Sequence, residues 1–201
     1  ARAINDLPLE EGRKNLAHLA TRYANATGAN VVPLLRRIVN ANLQLGERAN
    51  AEAVVEIAIS DSLPLVVRRE AVATLAAWDG GSTRDRVTGF WRPIEKRDGT
   101  AVRQVVQQAA ARLLAVSSAE LQVDVTGLLT SLEIETDDQA FADWVVDPSR
   151  SSEIRIAALR LLGNRKYGEL PQVIETLLTS DDAELRAESR DLLAGLDEKR
   201  V

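Results

Sequence analysis

The chain has 201 residues, 45% of them hydrophobic but only 3% aromatic, so it can bury a substantial core and that core must be aliphatic. Its net charge of −5 offers no general attraction to phosphate backbones or anionic lipids. With no cysteine and one histidine, His18, the sequence excludes disulfides, thiolate metal sites and clustered-histidine metal centres, and no cofactor is expected.

No apolar run approaches the roughly 20 residues that span a bilayer, so membrane insertion is not expected. No signal peptide is evident. A start at Ala1 and the absence of methionine lead to the expectation of a segment from a longer polypeptide.

Taken in chain order, residues 9–28 ("LEEGRKNLAHLATRYANATG") read as a helix ended by Gly28. Next comes a stripe at i, i+4, i+8 formed by Leu35, Val39 and Leu43, one face of an α-helix. A partner helix over 50–60 carries Val54, Val55 and Ala58, and a second stripe follows at Val67, Ala71 and Leu75. After Trp78 the helix is broken by Asp79-Gly80-Gly81.

The segment 79–100 reads as an irregular insert, with one short helical turn before Pro93 and a polar loop after it. Helix 99–116 then presents Val102, Val105, Val106, Ala109 and Leu113. A third stripe, Leu121, Val125 and Leu129, precedes a helix over 137–146 with Phe141, Trp144 and Val145; Trp144 is expected in the core. The fourth stripe is Ile154, Ala158 and Leu162. A helix over 168–180, with Pro171 in its first turn, leads to the last, Leu185, Ser189 and Leu193.

The stripes begin at residues 35, 67, 121, 154 and 185, a period near 31 to 33 with one interval long enough to hold the insert. A basic residue follows the first stripe position in four of them: Arg36, Arg68, Arg155 and Arg186, with Gln122 the exception. The turns before these helices offer Asp61, Asp147 and Asp181, either as helix caps or as partners in an Asp–Arg ladder between repeats. The fold expected is all-α, a right-handed α-α superhelix of about five hairpins, treated as one domain over 1–201 with the insert at 79–100.

"EIRIAALRLLGNRKYGELPQVIETLL" and "LLTSDDAELRAESRDLLAGL" resemble HEAT repeats of the short type found in phycobilin lyases and bacterial scaffolds. The insert peptide "DRVTGFWRP" is similar to one in HEAT regions of large exported planctomycete proteins. In those, a sugar-dehydrogenase-like β-propeller precedes the HEAT region and a c-type haem domain follows it. That resemblance implies an exported or periplasmic setting and a connector role, because no haem motif or catalytic base of such proteins can be matched here.

Three roles are open for the insert. Phe90 and Trp91 could fold back onto the helices while the charges stay wet. The segment could instead dock another protein or a neighbouring domain, through Arg86, Phe90, Trp91, Arg92, Lys96 and Arg97. Nucleic-acid contact is disfavoured, because within the peptide 85–100 Asp85, Glu95 and Asp98 nearly balance the four basic residues Arg86, Arg92, Lys96 and Arg97.

A second candidate surface is the concave face that HEAT-like arrays line with one helix of each pair. Here it would carry Glu52, Glu56, Gln104, Gln107, Gln108, Asp138, Asp143, Gln172 and Glu175, with Arg103 as its main positive charge. Such a face is acidic and rich in amides, which speaks against phosphate binding.

Two enzymatic alternatives follow from the HEAT resemblance. A DNA glycosylase of this type would use tryptophans, an Asp and an Arg in a basic groove, for which Trp78, Trp91, Trp144, Asp79 and Asp143 supply residue types but no matching motif. A bilin-lyase-like protein would need a tetrapyrrole pocket that no motif marks. The acidic pairs Glu10-Glu11, Asp137-Asp138 and Asp181-Asp182 open helices, where they favour the positive dipole end. A non-catalytic interaction scaffold is the function expected.

Overall fold

The computed structural model describes the chain except for residues 1, 7–8, 24–27, 29, 81–82 and 198–201. The described residues are all-helical. They form α1 (Arg2–Asp6), α2 (Glu10–Tyr23), α3 (Val31–Leu45), α4 (Arg48–Ile59), α5 (Leu65–Ala76) and α6 (Thr100–Leu114), then α7 (Ala119–Ser131), α8 (Asp138–Val146), α9 (Ser152–Asn164), α10 (Leu170–Leu177) and α11 (Ala183–Asp197). The chain divides into two compact units, residues 1–134 and 135–201.

In the first unit α2 pairs with α3, α4 with α5 and α6 with α7. The helices α3, α5 and α7 also pack in series as one layer, and α2, α4 and α6 as a second. In the second unit α8 pairs with α9 and α10 with α11, while α9 meets α11 and α8 meets α10. Alternation of this kind follows from the stripes: Leu35, Leu43, Val67, Leu75, Leu121 and Val125 are all inaccessible to solvent, as are Ala158, Leu162 and Leu185 in the second unit. Truncating one of these leucines to alanine removes about 2–5 kcal/mol, a large share of a domain's margin.

The residue after each stripe's first position has a common task. Arg68 Nε donates to the Ala58 carbonyl at 3.0 Å, and Arg155 Nε to the Val145 carbonyl at 2.8 Å. Gln122, the apparent exception, donates its amide to the Val116 carbonyl at 2.7 Å, and Arg186 donates to Ser180 O. These carbonyls lie at or just past the ends of the preceding helices, where no amide of the same helix is left to reach them. Only Arg36 is used differently, reaching the Arg86 carbonyl in the insert at 3.3 Å.

The expected Asp–Arg ladder is therefore mostly a set of Arg–carbonyl clasps. Asp61 does pair with Arg68 at 2.7 Å, and Asp182 with Arg155 of the preceding stripe at 3.9 Å, whereas Asp147 pairs with Arg150 in its own turn at 3.3 Å. In the last turn the working acid is Asp182 rather than Asp181. Its carboxylate accepts the Leu185 amide at 3.1 Å and the Ser152 hydroxyl at 2.5 Å, tying α9 to the start of α11. The residues that end α7 and α9 also match: Glu133 and Lys166 both adopt a left-handed backbone, φ 52° and 55°. The amides of Ile134 and Tyr167 close each turn onto Leu129 and Leu162, at 2.9 and 3.0 Å.

Some expectations are corrected. The helix placed at 9–28 is described over Glu10–Tyr23; 24–27 lie outside the described residues, as does Gly81, and Gly28 itself has φ 118°. The helix placed at 168–180 runs only from Leu170 to Leu177. Trp144 is half-buried rather than core, with the guanidinium of Arg150 stacked 4.1 Å over its ring. The short helical turn expected before Pro93 does form, as a single turn closed by the Gly89 amide on the Asp85 carbonyl at 2.8 Å, and it makes the bend of a tight hairpin bridged between Arg84 and Trp91.

Candidate functional site

That hairpin is built around one carboxylate. Asp85 lies at the start of a turn whose next two amides, Val87 and Thr88, donate to its Oδ1 at 2.9 and 2.8 Å. The Thr88 hydroxyl adds a third bond at 3.0 Å. An Asp that captures the amides two and three residues on acts as an N-cap, and the turn it opens closes after one i→i+4 bond, from the Gly89 amide to the Asp85 carbonyl at 2.8 Å. Gly89, at φ 73°, supplies the left-handed step that brings Phe90 back, and the Asp85 amide donates to the Phe90 carbonyl at 2.9 Å.

The second oxygen of Asp85 faces the helices. It accepts from the Asn40 amide at 2.9 Å, the Gln44 amide at 3.1 Å and the Arg92 guanidinium at 3.0 Å. The Asp85 side chain is fully buried. Burial pushes its carboxyl pKa up, but the Thr88 and Asn40 donors together with Val87 outweigh that and hold it below the ordinary Asp value. Arg92 continues the network to the Asn5 carbonyl at 2.7 Å, and Asn40 to the Asn5 side chain at 2.9 Å.

Two more arginines fasten the insert. Arg86 pairs with Glu70 of α5 at 2.8 Å. Arg97 donates to the Leu43 carbonyl at 2.7 Å, capping the C-terminal end of α3, and lies 5.9 Å over the buried ring of Trp78. Gly46 makes room for it: a Cβ there would fall 1.2 Å from the Arg97 guanidinium, at a backbone φ of 72°.

The candidate surface is thus sorted by the fold. Arg86, Arg92 and Arg97 turn inward and serve as fasteners, whereas Phe90 and Trp91 are 63% and 69% exposed and Lys96 is exposed. This reverses the arrangement in which the aromatics pack back and the charges stay wet. Asn5, Asn40 and Gln44, which complete the anchor, stand out in no sequence pattern; Asn40 and Asn42 in an apolar helix are the one available signal, since buried amides need partners.

On the other candidate face, Glu52, Glu56, Gln104 and Gln108 do come together between α4 and α6. Arg48 binds Glu52 at 2.9 Å and reaches Gln104 and Gln108 at 3.1 and 2.9 Å. Arg112 closes on both oxygens of Glu56 at 2.8 Å. The positive charges of this face are therefore Arg48 and Arg112 rather than Arg103, and its acids are neutralised. Gln107 is exposed on α6. In the second unit Asp138 pairs with Arg165 at 2.8 Å, Asp143 accepts from Gln139 at 3.0 Å, and Gln172 and Glu175 are exposed on α10.

The residue types named for glycosylase chemistry are scattered in role. Trp78 is buried in the first unit's core, Trp91 stands at that unit's surface, and Trp144 belongs to the second unit. His18 is exposed and bonded through Nδ1 to the Lys14 carbonyl one turn back, at 2.9 Å. Among the described residues no group of three or more His, Asp or Glu side chains could hold a metal ion, and no helix is long and apolar enough to cross a membrane. Compared with known protein families, curated proteins and solved structures, the chain matches none.

Proposed function

We propose that the chain is a non-catalytic interaction scaffold of HEAT-like repeats, coiled as a right-handed solenoid, that holds the 83–92 hairpin out for another protein surface. A neighbouring domain of the same polypeptide counts among such surfaces, in keeping with the resemblance to connector regions of exported proteins. The observation that carries the reading is the pairing of exposed Phe90 and Trp91 with a buried, fully bonded Asp85 beneath them. Large aromatics exposed on a preorganised turn lose little freedom on binding and are favoured interface anchors.

The layered helix pairs and the recurring clasp after each stripe support the repeat reading. Photo-crosslinking from position 90 of the full-length polypeptide tests the function, with a crosslinker at exposed Lys166 as control. A discrete protein adduct from position 90 alone is the expected outcome. Equal adducts from both positions, together with a large loss of thermal stability in a Phe90→Ala, Trp91→Ala variant, would show the pair to be structural and end the proposal.

A further inference from the structure

Beside the hairpin, residues 92–97 pass over the end of α3 and leave an open cleft of about 670 Å³ whose lining includes Arg13, Arg92, Lys96, Arg97, Glu95 and Ile94. Its charge is unbalanced. Arg92 is offset by Asp85, but Arg97 caps a carbonyl, and burial pushes its guanidinium below the ordinary value despite the nearby Asp79. Among the described residues Arg13 and Lys96 are held in no ion pair, and Glu95 is the one carboxylate in the lining. In a chain of net charge −5, this is a local excess of positive charge on flexible side chains.

We infer that this cleft receives the carboxylates of an acidic peptide segment of the docking partner, while Phe90 and Trp91 take an apolar side chain beside them. The inference rests on the docking role proposed above and adds the chemistry of the partner. Trp91 directly precedes Arg92, one of the residues that line the cleft, so one extended segment of a partner can reach both the aromatic pair and the cleft. An open cleft edged by long cationic side chains suits an extended carboxylate-bearing chain better than an enclosed small anion. A nucleic-acid backbone would need a longer basic track than this short cleft with its own glutamate provides.

The test uses the whole chain and three fluorescein-labelled probes read by anisotropy: a peptide alternating Asp-Glu pairs with Leu, the same peptide with Asn-Gln pairs, and a DNA duplex. In about 50 mM salt, where screening is weak, the acidic peptide should bind best. The Arg13→Gln, Lys96→Gln variant should weaken that peptide on the order of tenfold, the combined effect of two rim charge pairs, and leave the Asn-Gln peptide unchanged. Phe90→Ala, Trp91→Ala should weaken both peptides.

If the charge variant binds the acidic peptide as well as the parent does, while the aromatic variant does not, docking stands and the acidic partner falls. Failure of both peptides to bind overturns the acidic-peptide inference, and the docking role is then decided by the crosslink from position 90. Tighter binding of the duplex, lost in the charge variant, would assign the cleft to phosphate and overturn the inference.

Discussion

Replacing Asp85 by alanine perturbs the insert where it is most committed. The carboxylate is fully buried and accepts six hydrogen bonds, three within its own turn and three from Asn40, Gln44 and Arg92. Without it, the Val87 and Thr88 amides lose their acceptor and Arg92 keeps only the Asn5 and Asp6 carbonyls. Removing one partner of a buried ion pair costs about 3–5 kcal/mol. At roughly 2–4 °C per kcal/mol for a chain of this size, the melting temperature should fall by about 6–20 °C.

Calorimetry reads the global loss, and limited trypsin digestion reads release of the turn, since Arg84 and Arg86 flank Asp85. Faster cleavage at those two sites, with a lowered melting temperature, is the expected result. A melting temperature within about 2 °C of the parent and an unchanged digestion pattern would refute the claim that this carboxylate anchors the hairpin.

The same carboxylate sets an acid limit. Because its folded pKa is depressed below the ordinary value of 3.8, its contribution is fully present above that value and is lost as pH falls through the lower folded pKa. Melting curves across the acid range should therefore show a loss in the parent that is smaller in Asp85→Asn; equal losses would contradict this. Arg68→Ala should cost about 1–3 kcal/mol by leaving the Ala58 carbonyl without its donor, whereas Gln122→Arg should change stability by less than about 0.5 kcal/mol, both measured by urea unfolding. Gly46→Ala should destabilise by more than the 1–2 kcal/mol of left-handed strain, since Arg97 must also move, and Arg97→Ala in the same chain should recover part of the loss.

Much of the helical layout was legible because burial in a layered helix stack imposes a period on the sequence. The stripes that begin at Leu35, Val67, Leu121 and Ile154 are buried as their spacing predicts, and the last is buried at Leu185 and Ser189 but only half-buried at Leu193. The basic residue after each stripe was legible as a pattern but not as a function, since its acceptor is a carbonyl, which every residue possesses. Gln122 looked like an exception only while the pattern was read as charge; as a donor it fits.

The insert was the hardest to read, because its conformation depends on partners at a distance. An Asp among arginines looks like a wet, balanced charge set until Asn40 and Gln44, some forty residues earlier, supply the donors that draw it inward. Arg97 follows the same logic: only the space left by Gly46 admits its guanidinium to the end of α3. Hydrophobicity alone would bury Phe90 and Trp91, but a turn that points its charges at the helices leaves its aromatics on the other side.

Hydroxyl-radical footprinting of the three tryptophans tests the outward aromatic pair most directly. Trp91 should be oxidised fastest, Trp144 more slowly beneath Arg150, and Trp78 last, at 1% exposure. Protection of Trp91 to the level of Trp78 in the isolated chain would mean that the hairpin folds inward, contradicting the docking account.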